Sequence, residues 1–266
     1  MDDTEFQTVG QITAPHRFDL LPLAVEKFEQ AVALERVQAE KAVACYREAI
    51  DMDPRLYSAH NNLAIMLARQ GLLNEALTQV EAGIAVRLDH WPLYYNRGLI
   101  LMQLGQLPRA RMALLQASSC DSRQTQVWTT LGILDLKLGD AADARSMFTR
   151  ALATDPVSVT ALHGLGKCLM MAREFDQAIF LLQKAQAREP RRPALYYDLA
   201  VAHAADHHLV EASRYLQRLQ EHDPQGLWQE RAQRLIQAFD LPVDLPPEFT
   251  LTEPPFKTNL PVLAVM

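Results

Sequence analysis

Residues 125–158 read TQVWTTLGILDLKLGDAADARSMFTRALATDPVS, and residues 159–192 read VTALHGLGKCLMMAREFDQAIFLLQKAQAREPRR. Set one above the other, the two stretches agree at a period of 34 residues. Gly132 falls on Gly166, Ala144 on Ala178, Ala151 on Ala185 and Pro156 on Pro190. Large residues align as well: Trp128 with Leu162, Leu131 with Leu165, Phe148 with Leu182. Such self-similarity marks a stack of structural units rather than a single globular core.

The phase extends in both directions. Blocks of 34 begin at residues 23, 57, 91, 125, 159 and 193. The twentieth position holds Ala42, Ala76, Ala110, Ala144, Ala178 and Ala212. The eighth holds Ala64, Gly98, Gly132, Gly166 and Ala200, and the twenty-fourth Tyr46, Val80, Leu114, Phe148, Leu182 and Leu216. Two antiparallel helices approach closely only where small residues face each other, and larger neighbours fill the space beside that contact. Gly71, Gly105 and Gly139 recur at position fifteen, where glycine takes the left-handed conformation that ends a helix. Pro54, Pro156, Pro190 and Pro224 stop the second helix of four units, while Leu88 and Ser122 hold that slot in the other two and keep the phase.

This pattern resembles the tetratricopeptide repeat, strongly over residues 57–226 and weakly over 23–56. The resemblance implies an all-α fold: an α-solenoid, a right-handed superhelix of tandem helix-turn-helix units. It divides the chain into an irregular segment 1–22, six repeats over 23–226, a capping helix over 227–240 and a proline-rich apolar tail over 241–266. The first block departs from the pattern, with Glu26, Glu29 and Gln30 in slots the family fills with large and small apolar residues. Arg173 and His207 occupy the glycine slot of blocks five and six. If they take the left-handed conformation, each costs about 1 kcal/mol relative to glycine.

Composition excludes several classes of function. A net charge of −6 gives no general attraction to nucleic acid or anionic membranes. Arg188, Arg191 and Arg192, the densest basic patch, read as a solvated loop. Cys45, Cys120 and Cys168 are widely spaced, with no zinc or disulfide pattern, which fits a reducing compartment. Neither a secretory signal nor a membrane-length apolar run is present, and the expectation is a cytoplasmic protein.

Residues 225–239 place Trp228, Arg231, Leu235 and Phe239 at helical spacing, as a capping helix requires. Beyond Asp240 the chain carries six prolines among Leu241, Leu245, Phe249, Leu251, Phe256, Leu260 and Leu263. This tail either lies on its own last repeat, docks into a partner or a groove, or is disordered.

The resemblance also implies a binding surface. In the family, positions 2, 5, 6, 9, 12 and 13 of each first helix look into the concave groove. Here they supply Asn61, Asn62, Arg69, Tyr95, Asn96, Leu99, Gln126, Thr129, Ile133, His163, Lys167 and Tyr197 as peptide-binding candidates, with Lys137 beside them. Asn62 and Asn96 share position six, and an amide offers both donor and acceptor to a peptide backbone. Alternatively, both satisfy local helix carbonyls or water. The family's terminal-carboxylate clamp is absent, because its lysine and asparagine slots hold Asn61 with Ile65 and Tyr95 with Leu99.

Two further motifs carry less. His203 and His207 have metal-compatible spacing, but they sit in a packing slot and a turn. Gly164-Leu165-Gly166-Lys167 lacks the spacing and strand context of a phosphate loop. The reading assigns no catalytic residue, no cofactor and no metal. It expects a non-enzymatic adaptor that binds protein partners, with self-assembly through the tail and convex surface as the alternative. Nucleic acid and direct membrane insertion are not expected.

Overall fold

The computed structural model describes residues 17–223 and 226–239, which form only helices and turns. Residues 1–16 and the proline-rich stretch 241–266 lie outside the described residues, as do Pro224 and Gln225. Thirteen helices follow one another among the described residues. They are α1 (Arg17–Leu34), α2 (Ala39–Met52), α3 (Tyr57–Arg69), α4 (Leu73–Val86), α5 (Trp91–Gln103), α6 (Leu107–Cys120) and α7 (Thr125–Leu138). The rest are α8 (Ala141–Thr154), α9 (Val159–Met171), α10 (Phe175–Arg188), α11 (Pro193–Ala205), α12 (Leu209–His222) and α13 (Gln229–Phe239). From α3 onward the first helix of each pair starts at 57, 91, 125, 159 and 193. The sequence period is thus the backbone period.

The turns repeat for a chemical reason. In the turn that closes a unit, an aspartate carboxylate accepts from the amide two residues on: Asp53 from Arg55, Asp121 from Arg123 and Asp155 from Val157, all near 3.0–3.1 Å. This Asx turn competes with helix continuation and ends it. The ring at position four of the next helix then reaches back to the turn. Trp128 Nε1 donates to the Ser122 carbonyl at 2.7 Å, and the Tyr196 hydroxyl donates to the Pro190 carbonyl at 2.6 Å. Within each unit, Gly71, Gly105 and Gly139 take positive φ. Arg173 (φ 61°) and His207 (φ 63°) take the same conformation. Those two turns are therefore as tight as the glycine turns, at the cost expected of a side chain there.

The close-approach rule holds in atomic detail. A Cβ added to Gly98 would lie 2.7 Å from Leu114, and one added to Gly166 would lie 2.9 Å from Leu182. Position eight is small because position twenty-four of the same unit lies against its backbone.

The chain divides into two compact units, with the boundary inside α5 between Asn96 and Arg97. In the first unit, α1 departs from expectation. It starts at Arg17, inside the segment read as irregular, and carries Pro22 within it. Its buried residues are Ala24 and Ala31, while Glu26, Glu29 and Gln30 are exposed. The small-residue face exists, but at positions other than those the later first helices use.

In the second unit, α13 begins at Gln229, after the expected start at 227. Asp223 caps its approach, accepting from the amides of Leu227 (3.0 Å) and Trp228 (2.7 Å). Ala232 and Leu235 are buried against Tyr196, Leu216 and Leu219, with Trp228, Ile236 and Phe239 packed alongside. Leu227, just before the helix, is exposed.

Candidate functional site

The predicted face divides into a sealed portion and an open one. In the first unit, Asn61, Asn62 and Asn96 are 0%, 1% and 0% exposed. Buried amides are costly unless paired, and these pair with one another. Asn96 Nδ2 donates to Asn61 Oδ1 at 2.9 Å, and Asn61 Nδ2 donates to Asn62 Oδ1 at 3.1 Å. Asn62 Nδ2 donates to the Tyr46 hydroxyl at 3.2 Å, which itself donates to Glu35 at 2.5 Å. Burial, followed by the Glu35 bond, pushes the Tyr46 phenol well above its usual range. Asn62 and Asn96, expected to pair with a peptide backbone, are turned into the protein in this structure. Their side chains are closed to solvent and joined through Asn61. Tyr95 is also buried, while Arg69 is exposed.

In the second unit, Leu99 is fully buried core. The Thr129 hydroxyl donates to the Gln126 carbonyl at 3.0 Å, so its polarity is satisfied within α7. Gln126 is exposed. Tyr197 is half-buried, its ring 5.4 Å from that of Trp228, and burial pushes its phenol up.

Three predicted residues, Ile133, His163 and Lys167, come together. They line an open cleft of about 300 Å³ with Leu136, Lys137, Phe148, Thr160, Gly164 and Arg192. The His163 Nε2 lies 2.5 Å from Asp198 Oδ2, and Lys167 Nζ lies 3.9 Å from the same oxygen. Asp198 is buried, so this contact is shielded from water. The sequence places Arg192 in a solvated loop. In the structure it stands at the cleft, its guanidinium 3.1 Å from Glu189. The signal for this is its place directly before the first helix of the next unit.

Gly164 has a packing explanation. A Cβ there would come within 2.3 Å of the Phe148 ring, and one at Gly132 within 2.7 Å. The ring fills the space between two backbones, so the phosphate-loop likeness of this stretch reflects packing.

Other polar groups lie apart from the cleft. Asp135 is fully buried; Oδ1 accepts from Arg111 at 2.7 Å, while Oδ2 has no hydrogen-bond partner. Burial raises its carboxyl, against the opposing effect of Arg111. His203 is buried, with both ring nitrogens unpartnered and its ring stacked 5.3 Å from Tyr215. Among the described residues no three His, Cys, Asp or Glu side chains converge to hold a metal ion, and no helix is long and apolar enough to cross a membrane. Against the second helices α8 and α10, a hollow of about 530 Å³ is lined by Leu165, Leu169, Leu181 and the exposed Phe180.

Comparison with known proteins agrees with this architecture. Family models described as Tetratricopeptide repeat match residues 31–85, 73–122, 135–191 and 170–238. Anaphase-promoting complex subunit 3 of Schizosaccharomyces pombe is 21% identical over 165 residues, 62% of this chain. The match spans only 25% of that relative's length. Among solved structures, Pseudomonas aeruginosa pilF superposes with a TM-score of 0.70 at 18% identity, over 83% of this chain and 99% of its own. YrrB, described as a TPR protein with an unusual peptide-binding site, gives 0.60 at 18% identity, over 71% of this chain and 97% of its own. Matched family models, a 34-residue backbone period and small-against-large packing inside each unit all agree: the chain belongs to the tetratricopeptide-repeat family.

Proposed function

We propose that the protein is a non-catalytic scaffold that holds an extended segment or helix of a protein partner on its first-helix face and so helps assemble a multiprotein complex. Proteins of this family generally mediate protein–protein interactions and complex assembly. The observation that carries the reading is the cleft lined by α7, α9 and Arg192. It joins apolar walls, Ile133 and Leu136, to hydrogen-bond donors on Thr160, Lys137 and Lys167. Peptide sites have this composition: burial supplies affinity and a few polar groups fix orientation. The unusual peptide-binding site of YrrB offers a precedent on a similar fold. Of the predicted residues, Gln126, Ile133, His163, Lys167 and Tyr197 remain candidates for contact. The asparagines are buried against one another in the first unit.

The apolar hollow beside Phe180 favours a second reading, self-assembly through the second-helix face. One experiment separates the two. A photo-crosslinking benzoylphenylalanine is placed at Gln126 in one variant and at Phe180 in another, and each is irradiated in its native cells. A heterologous partner captured from Gln126 and not from Phe180 supports the first reading. Self-crosslinks from Phe180, with none from Gln126, would replace it with the second.

A further inference from the structure

We propose that the cleft between α7 and α9 is a receptor for an acidic side chain, so that the segment held there carries a glutamate or aspartate at its anchoring position. This inference rests on the first-helix face being the binding surface.

Three cations line the cleft, Lys137, Lys167 and Arg192, and no carboxylate does. Lys137 makes no ion pair among the described residues and is exposed. The acid facing Lys167 is Asp198 at 3.9 Å, and that oxygen is already taken by His163 at 2.5 Å. Arg192 pairs with Glu189 at 3.1 Å, leaving its side chain 34% exposed. Counting Asp198 and Glu189 against the three cations leaves one net positive charge, which matches a monoanionic carboxylate. A cation pair beside an apolar wall attracts a carboxylate more strongly than it would in open water, because the wall lowers the local dielectric.

The imidazole adds rigidity: His163 Nε2 is held 2.5 Å from Asp198 Oδ2, which fixes the ring at the edge of the cleft beside Lys167. Ile133 and Leu136, both partly exposed, offer an apolar wall to side-chain methylenes, which favours glutamate over aspartate.

An acidic peptide fits better than a nucleic acid. The chain carries a net charge of −6, so it repels an extended polyanion at long range, and the cleft offers only a local positive cluster. The arrangement is distinct from the terminal-carboxylate clamp, whose slots hold other residues here. Lys167 and Lys137 stand at positions nine and thirteen of consecutive first helices.

The test uses the full chain and fluorescence anisotropy. The probes are a fluorescein-labelled peptide containing Glu-Leu-Glu, the same peptide with glutamines for the glutamates, and labelled oligothymidylate. The expected result is at least about tenfold tighter binding of the glutamate peptide at low salt, with the contrast fading toward about 0.5 M salt. Lys137→Glu with Lys167→Glu removes the contrast without changing the melting temperature, whereas Arg218→Glu on α12 leaves it intact. Equal behaviour of the two peptides, including no binding by either up to about 1 mM, overturns the proposal. So does a contrast that survives the lysine substitutions, or tighter binding of oligothymidylate. If crosslinking from Gln126 still captures a partner while the glutamate contrast is absent, the acidic anchor fails and the first-helix reading stands.

Discussion

Gly164→Ala tests the central packing claim. The added Cβ would lie 2.3, 2.4 and 2.6 Å from three atoms of the Phe148 ring. Carbon atoms pack comfortably at about 3.5–4.0 Å, so the ring would have to withdraw by about 1 Å or more. The ring is fully buried, and on its other side a Cβ at Gly132 would lie only 2.7 Å away. Overpacking of this kind costs about 1–3 kcal/mol, here toward the upper end. Alanine in a helix interior returns about 1 kcal/mol relative to glycine. The expected net effect is a loss of about 2 kcal/mol.

Urea unfolding followed by far-ultraviolet circular dichroism measures the loss, with midpoints compared at equal slope. A double-mutant cycle makes the argument specific. The facing position elsewhere holds Leu114 and Leu182, so Phe148→Leu should accept the new methyl. Alone it costs about 1 kcal/mol, and in the Gly164→Ala background it restores stability, giving a favourable coupling of at least about 1 kcal/mol. If Gly164→Ala instead raises stability by the helix-propensity increment, or the cycle shows no coupling, the reasoning about Phe148 is wrong.

Two further outcomes follow from the backbone and from the buried imidazole. Arg173→Gly and His207→Gly relieve positive φ and should each stabilise the fold by up to about 1 kcal/mol, partly offset by a freer unfolded chain; a lower unfolding midpoint in either variant would contradict the assigned strain. His203→Phe removes two buried, unpartnered nitrogens and should add about 1 kcal/mol at neutral pH. Burial first, then His208, holds the His203 pKa below its ordinary value, against Glu211 and Asp206. The unfolded chain therefore binds protons there before the folded one does, and stability falls as pH drops below about 6.5. The substitution should flatten that dependence; parallel losses in the wild type and variant would remove His203 as its source.

How much of this was legible in sequence depends on which neighbour each residue answers to. The contact between positions eight and twenty-four lies within one unit and repeats along the chain, so the 34-residue alignment exposes it. Gly164 answers to Phe148, a residue of the preceding unit, and position six otherwise holds Asn62, Asn96, Thr130 and Asp198. No period predicts a glycine required by one unusually large neighbour. The asparagines are buried for a related reason. Asn61 reaches Asn96, and His163 reaches Asp198, each 35 residues on. Position five of one first helix thus meets position six of the next, in each of the two compact units. Alignment at 34 places these residues in columns but cannot show the diagonal bond, which arises where adjacent helices face each other. The diagonal reassigns the polar columns. Positions five and six act largely as the wall joining neighbouring first helices, while positions two, nine, twelve and thirteen contribute Thr160, Ile133, Lys167, Leu136 and Lys137 to the open cleft. A variant exchanging the His163–Asp198 pair for Asn–Asn would preserve that wall while removing the charge that faces Lys167. Positions five and six thus carry most of the polar contact between neighbouring first helices, and through Asp198 they also set part of the charge beside the cleft.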